Sequence, residues 1–130
     1  MTPLLNVVVY MTLLTFAAIV LGAVLRNREW TLQGMQAGLS NRDNLSAATP
    51  MGARAERAAA NTKESFILFL ALALTAHLAG VGEHALLGAQ VFIWARLVYL
   101  PVYISGITYL RSAVWVVGIA GLAMMALALG

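Results

Sequence analysis

Residues 86–110 read LLGAQVFIWARLVYLPVYISGITYL, an apolar run in which Arg96 is the only residue with a formal charge. A helix needs about 20 predominantly apolar residues to cross the hydrocarbon core of a bilayer. Lipid offers no hydrogen-bond partner to backbone N–H and C=O groups, so a run of this kind is expected to be helical. The stretch therefore predicts a transmembrane span over about residues 86–108.

Three further apolar runs lie on either side of this stretch. They predict spans at about residues 4–25, 56–81 and 112–129. The second span of the four reaches full length only if a polar lead-in, which begins near Ala53, continues the same helix. The sequence thus predicts an all-α membrane protein, with a single domain over residues 1–130 built as a bundle of four transmembrane helices.

Composition supports this fold class and excludes several functions. Of the 130 residues, 62% are hydrophobic and 10% are charged, with a mean hydropathy of +0.85. A soluble domain of this size buries too small a fraction of its surface to hide so many apolar side chains. The chain has no cysteine, which excludes a disulfide framework, a thiolate metal site and a cysteine nucleophile. His77 and His84 form no ligand motif, so we expect no metal site.

The connections between the runs differ in length. Residues 26–53 form a long polar segment, and Thr49-Pro50 near its end is typical of a helix start, with Thr49 as the cap. The link from the second run to the third is a short turn at residues 80–84. The link from the third run to the fourth is predicted at residues 109–112, where Ser112 can cap the last helix.

Basic residues fall on one side of the predicted bundle. The other side, at the short turn, carries Glu83 and His84 but no Lys or Arg. Positive residues concentrate on the cytoplasmic side of membrane proteins, so the long loop is expected in the cytoplasm and both termini outside. This distribution explains the net charge of +3 without a nucleic-acid partner. The basic set comprises Arg26, Arg28, Arg42, Arg54, Arg57, Lys63 and Arg111.

Ionisable residues within predicted spans are the candidates for function, because they are costly in lipid. On the second helix, Arg54, Arg57, Asn61 and Glu64 are spaced by three, four and three residues, which places them on one face. That face begins at the membrane surface and extends into the bilayer. An alternative reading makes the arginines topology determinants and headgroup anchors only.

The third helix carries a matching stripe of Arg96, Tyr99 and Tyr103, spaced by three and four residues. Arg96 and Glu64 lie at similar depths, which predicts an ion pair between them. The two tyrosines and Asn61 then line a polar pocket that opens toward the cytoplasm. Alternatively, the ion pair serves only to fix the register of the two helices.

Three motifs in this order resemble the MAPEG family, the membrane-associated proteins in eicosanoid and glutathione metabolism. The first is RAERAAANTKE at residues 54–64, the second is ARLVY at 95–99 followed by Tyr103, and the third is LRS at 110–112. Together with four predicted spans they cover nearly the whole chain, which is identified as a bacterial-type member. The resemblance implies a homotrimer in the cytoplasmic membrane, with glutathione as co-substrate bound between subunits.

The resemblance also implies roles for individual residues. Arg57, Asn61 and Glu64 match glutathione-contacting positions on the second helix, and Tyr103 matches one on the third. Tyr99, on the same stripe as Tyr103, is expected to line the same pocket.

Two further arginines and a serine also match family positions. Arg111 matches the arginine near the thiol, where a cation favours the thiolate, and Ser112 matches a serine that assists this step in some members. Arg26, at the end of the first span, matches a ligand-facing arginine.

Three positions depart from glutathione-using members of the family. Ala60 replaces a second arginine, Tyr99 replaces a histidine found in some members, and Trp115 replaces a tyrosine. Two functions therefore remain: a glutathione-dependent transferase or peroxidase acting on apolar electrophiles that enter from the lipid, or a non-catalytic lipid-binding or scaffold protein. A small transporter is disfavoured, because the chain lacks a pair of broken helices.

Overall fold

The computed structural model describes residues 1–40 and 49–130, and Arg42 of the basic set lies outside the described residues. The described segments contain helices and no strand, as the apolar runs predict. The helices are α1 (Pro3–Asn27), α2 (Leu32–Leu39), α3 (Pro50–Leu78), α4 (Gly82–Ser105) and α5 (Thr108–Ala128).

Three of these helices, α1, α4 and α5, are long and apolar enough to cross a membrane. Their outward surfaces carry large exposed side chains such as Phe16, Trp94 and Val116, which suits contact with lipid rather than water. The chain is therefore an integral membrane protein. The fourth predicted span corresponds to α3, which carries five charged residues from Arg54 to Glu64, so the count of four spans stays a prediction.

The polar lead-in does continue the helix of the second apolar run, because α3 is unbroken from Pro50 to Leu78. The predicted start is confirmed: the Thr49 hydroxyl accepts a 3.0 Å hydrogen bond from the Gly52 N–H, and Pro50 occupies the first turn. Arg54, Arg57 and Asn61 therefore lie on the same continuous helix as the apolar half of α3.

The turn between α4 and α5 lies at Gly106 and Ile107, one turn earlier than residues 109–112, where the sequence predicted it. Gly106 has a φ of 81° and ends α4 in the left-handed region, which glycine adopts without a steric penalty. Helix α5 begins at Thr108, so Ser112 lies within the helix. The prediction that Ser112 caps the last helix is therefore wrong.

The main core joins α1, α3, α4 and α5 around stacked aromatic rings. The rings of Phe69 and Phe92 lie 4.9 Å apart, with an interplanar angle of 12°, and both residues are fully buried. Met11 and Met125 close the same core. This packing fixes α3 against α4 on the apolar side of the polar site described below.

Helices α4 and α5 approach each other closely at two glycines. A Cβ built on Gly121 would lie 2.8 Å from the carbonyl oxygen of Gly88, and one on Gly88 would lie 2.7 Å from that of Gly121. Small residues permit such approaches between membrane helices. Gly118 and Gly121 lie three residues apart in α5, and the structure places Gly121 in this contact.

Helix α2 is an element that the sequence analysis did not predict. It occupies residues 32–39 within the long polar segment, and it packs on the end of α1. The hydroxyl of Thr31 caps it by accepting a 2.9 Å hydrogen bond from the Gly34 N–H.

Candidate functional site

Two tyrosines on α4 form the centre of the candidate site. Tyr99 and Tyr103 are four residues apart, so they lie on one helix face, and their ring centroids are 5.4 Å apart with an interplanar angle of 54°. Tyr99 is buried and Tyr103 is half-buried. The sequence stripe therefore predicted their common face correctly.

Three arginines from three helices converge on these rings. The Nε of Arg57 on α3 donates a 3.1 Å hydrogen bond to the Tyr103 hydroxyl. The guanidinium carbon of Arg111 on α5 lies 4.8 Å from the centroid of the Tyr103 ring, and that of Arg96 on α4 lies 4.1 Å from the Tyr99 ring. Both distances are within the range of cation–π attraction. We call this set the arginine–tyrosine cluster: Arg57, Arg96, Tyr99, Tyr103 and Arg111.

Arg96 is the deepest member of the cluster, with 3% of its surface exposed. Its Nη2 donates a 2.9 Å hydrogen bond to the Thr62 hydroxyl on α3, and its Nε is buried without a partner among the described residues. Glu64 is exposed and pairs with no arginine in those residues. The predicted Glu64–Arg96 ion pair is therefore wrong within the chain, because α3 turns Thr62 rather than Glu64 toward α4.

Asn61 lies beside Thr62 on α3 and is half-buried. Its side-chain oxygen Oδ1 is buried and has no hydrogen-bond partner in the described part of the chain. Buried acceptors of this kind are normally satisfied by protein, water or a ligand. The free acceptor of Asn61 and the free donor of Arg96 thus leave hydrogen-bonding capacity open around the cluster.

A fourth arginine, Arg54, secures the end of α4. Its Nε donates a 2.9 Å hydrogen bond to the carbonyl oxygen of Ile104, and its guanidinium group packs over Gly106. Carbonyl groups in the last turn of a helix have no partner within the helix, so a cation there is favourable. The sequence placed Arg54 on the polar face of α3 but could not show that it caps α4.

Arg26 lies apart from the cluster, in a groove between α1 and α3. Its Nε is 3.5 Å from the Oε1 of Glu56. The groove has a volume of about 520 Å³, and Arg57 and Lys63 also line it. Since Arg57 also reaches Tyr103, its side chain connects the groove with the cluster.

Ser112 does not join the cluster either. It is exposed, and its hydroxyl donates a 3.4 Å hydrogen bond to the carbonyl oxygen of Thr108, one turn earlier in α5. Its neighbour Arg111 is half-buried and points at Tyr103. Consecutive residues of a helix point about 100° apart, which separates the two side chains.

No carboxylate among the described residues compensates the charge of the cluster. Within residues 1–40 and 49–130, none of Arg54, Arg57, Arg96 and Arg111 has a carboxylate within ion-pair distance. Arg96 is buried, and burying a cation without a counter-charge is unfavourable, a cost that an anionic ligand removes. The arrangement is therefore suited to binding an anion, and guanidinium groups bind carboxylates in particular.

The chain matches one protein-family model. The model described as the MAPEG family matches residues 3–130, which is essentially the whole chain. The chain belongs to the MAPEG family. Comparisons with curated proteins and with solved structures find no match.

The MAPEG motifs noted in the sequence coincide with the cluster. Residues 54–64 supply Arg57, residues 95–99 supply Arg96 and Tyr99, and residues 110–112 supply Arg111. Two of the three departures lie at its margin, since Ala60 is exposed in the α1–α3 groove and Trp115 is exposed on α5, whereas the third, Tyr99, is buried at its centre.

The opposite side of α4 in this MAPEG protein carries an apolar groove shared with α5. Its volume is about 540 Å³, and Trp94, Val98 and Val117 are among the residues that line it. Ala95 lines it as well and directly precedes Arg96. An apolar surface and a cationic cluster therefore lie on opposite sides of one helix.

Proposed function

We propose that this MAPEG protein is a membrane glutathione-dependent transferase or peroxidase that acts on apolar electrophiles. The observation that carries the proposal is the convergence of Arg57, Arg96 and Arg111 on two tyrosines, with no carboxylate paired to them in the described segments. Glutathione presents carboxylates that such guanidinium groups bind as charge-assisted hydrogen-bond partners. It also presents a thiol that a nearby cation activates.

The cluster residues take separate roles in this proposal. Arg57, Asn61 and Glu64 bind the tripeptide, with Tyr99 and Tyr103 as the walls of its pocket. Arg111 lies near the thiol and stabilises its thiolate form electrostatically. The exposed hydroxyl of Ser112 is available to a group that approaches from outside the chain.

The proposed reaction combines a thiol that enters from water with an electrophile that enters from the lipid. The thiolate sulfur attacks the electrophilic carbon, a C–S bond forms, and the leaving group departs with the bonding electrons, while the thiol proton passes to water. In the peroxidase reaction, two glutathione molecules are oxidised to the disulfide as the peroxide is reduced to an alcohol and water. The apolar partner reaches the site from the lipid, beside the groove between α4 and α5.

A homotrimer forms part of the same proposal. Glu64 is exposed in the single chain, and Arg26 lines the α1–α3 groove rather than the cluster. Both would contact glutathione that is held between two subunits. The tripeptide then bridges the cluster of one subunit and the groove residues of its neighbour.

The test is conjugation of 1-chloro-2,4-dinitrobenzene to glutathione by the purified protein in lipid nanodiscs. We expect activity, and we expect Arg111→Ala to lower kcat by about 100- to 1,000-fold, the range that follows removal of one electrostatic stabiliser. Arg28→Asn is the matched control, because it removes an exposed cation outside the cluster at a left-handed position that asparagine tolerates. Equal rates for both variants would contradict the role of Arg111.

A second candidate, a non-catalytic lipid-binding or scaffold protein, is favoured by the apolar groove and by Ala60. The groove accepts an acyl chain without any chemistry, and Ala60 lacks the cation of glutathione-using members. Titration calorimetry with glutathione separates the two functions. A scaffold protein shows no heat of binding, whereas the proposed enzyme binds glutathione and loses that binding in Arg57→Ala.

A further inference from the structure

Helix α2 presents a stripe of large apolar side chains to the outside of the chain. Leu32, Met35 and Leu39 are 77%, 52% and 84% exposed. At about 100° per residue, these three side chains fall within an arc of about 60°. Gln33 and Gln36 lie to one side of that arc, so the helix is amphipathic although no part of the described chain covers its apolar face.

The opposite face of α2 fixes the direction in which this stripe points. Gly34 is buried, and a Cβ there would collide with the carbonyl oxygens of Asn27 and Arg28 at the end of α1. A Cβ on Gly38 would collide with the side chain of Glu29. Close packing at these two glycines, against backbone at Gly34 and against a side chain at Gly38, thus holds α2 on the end of α1, with the apolar stripe turned away from the bundle.

The position of α2 along the chain sets its depth in the membrane. Helix α1 is a membrane span that ends at Asn27, and α2 begins at Leu32. Its contact with the last turn of α1 keeps it at the level where that span leaves the hydrocarbon core. Trp30 is 66% exposed between the two helices and Arg28 is exposed beside it, and both residue types favour the membrane–water interface.

We infer that α2 is an interfacial helix whose apolar stripe inserts into the membrane surface at the end of α1. Helix α1, on which α2 packs, also exposes apolar side chains toward its end, at Val20 and Leu21. A stable protein interface buries about 800 Å² on each partner, more than three side chains of an eight-residue helix supply. An interfacial helix needs only an apolar face and a polar one.

Because the chain has no cysteine, its α2 can be mapped with single spin labels. The variants are Leu32→Cys, Met35→Cys and Leu39→Cys on the stripe, with Gln33→Cys and Gln36→Cys as matched controls. Each nitroxide-labelled protein is placed in vesicles of phosphatidylcholine and phosphatidylglycerol (3:1). Collision rates with oxygen, which partitions into lipid, and with a water-soluble nickel chelate are then measured.

We expect collisions with oxygen to exceed those with nickel at residues 32, 35 and 39, and the reverse at 33 and 36. High nickel accessibility at all five sites would overturn the inference, because it places α2 in water. Low accessibility to both reagents at the stripe would also overturn it, since a second protein surface then covers the helix. In detergent-free vesicles, quenching of Trp30 fluorescence by brominated lipid is measured in the Trp94→Phe/Trp115→Phe variant. It reports independently whether Trp30 lies in the membrane, as the inference requires.

Discussion

The Thr62 hydroxyl connects Arg96 to the backbone of α3. It donates a 2.7 Å hydrogen bond to the carbonyl oxygen of Ala58 and accepts the 2.9 Å bond from Nη2 of Arg96. Arg96 is thereby held on the neighbouring helix with its guanidinium over the Tyr99 ring. The deepest cation of the cluster is thus positioned by a neutral side chain, which leaves its charge free for a ligand.

Replacing Thr62 by valine is expected to destabilise the fold. Valine keeps the shape of threonine but removes the acceptor, so a buried Nη2 of Arg96 loses its partner. An unsatisfied buried donor costs about 1–3 kcal/mol, or more when charged. Unfolding in mixed micelles, followed by tryptophan fluorescence, measures this loss. Thr62→Ser retains the hydroxyl and serves as the control, and equal stability of the two variants would refute the contact.

Glu64→Gln is expected to leave the free energy of unfolding unchanged within about 0.5 kcal/mol, as for other exposed substitutions. The reason is that Glu64 is exposed and has no ion-pair partner in the described residues. A buried Glu64–Arg96 pair would instead cost about 3–5 kcal/mol when broken. The same unfolding assay decides between these outcomes, while a weaker affinity for glutathione would show that Glu64 contacts the ligand.

The contact between α4 and α5 gives a prediction with a control in the same helix. A Cβ on Gly121 meets backbone atoms of Gly88 and Phe92 at 2.8 Å, whereas one on Gly118 meets only side-chain atoms at 3.7 Å or more. Gly121→Ala is therefore expected to destabilise the protein by about 1–3 kcal/mol through overpacking. Gly118→Ala is expected to be neutral or mildly stabilising, since alanine favours the helix. Thermal unfolding of both variants checks the difference.

The sequence predicted the helical runs and the Thr49 cap because they depend on local patterns. It also predicted that Tyr99 and Tyr103 share a face, which follows from their spacing. It failed for the partner of Arg96, since Thr62 and Glu64 are about 200° apart on one helix. Which of them faces α4 depends on the rotation of α3, and that rotation is set by packing at Phe69 and Phe92.

The sequence misplaced the α4–α5 turn and Ser112, and it did not reveal the contact of Arg54. These three failures have similar causes. The α4–α5 turn depends on Gly106 adopting a left-handed conformation, which a continuous apolar run does not reveal. Ser112 lies within α5 for the same reason. The contact from Arg54 to Ile104 spans fifty residues of chain, and no periodic pattern encodes which carbonyl oxygen a long side chain reaches.

The hydrogen bond from Arg57 to Tyr103 yields the most direct test of the cluster. Tyr103→Phe keeps the ring beneath Arg111 and removes only the hydroxyl that accepts from Arg57. We expect glutathione to bind about 10- to 150-fold more weakly, because a hydrogen bond to a charged group contributes roughly 1.5–3 kcal/mol. Calorimetric titration measures the affinity, and Tyr109→Phe, at an exposed ring outside the cluster, is the control.

A double-mutant cycle with Arg57→Ala separates positioning from direct contact. If Tyr103 acts by orienting Arg57, the double variant binds glutathione no more weakly than Arg57→Ala alone, because the effect of the hydroxyl vanishes with its partner. If the hydroxyl instead contacts glutathione independently, the two losses add. Additive losses would show that the 3.1 Å bond between the two side chains does not organise the site.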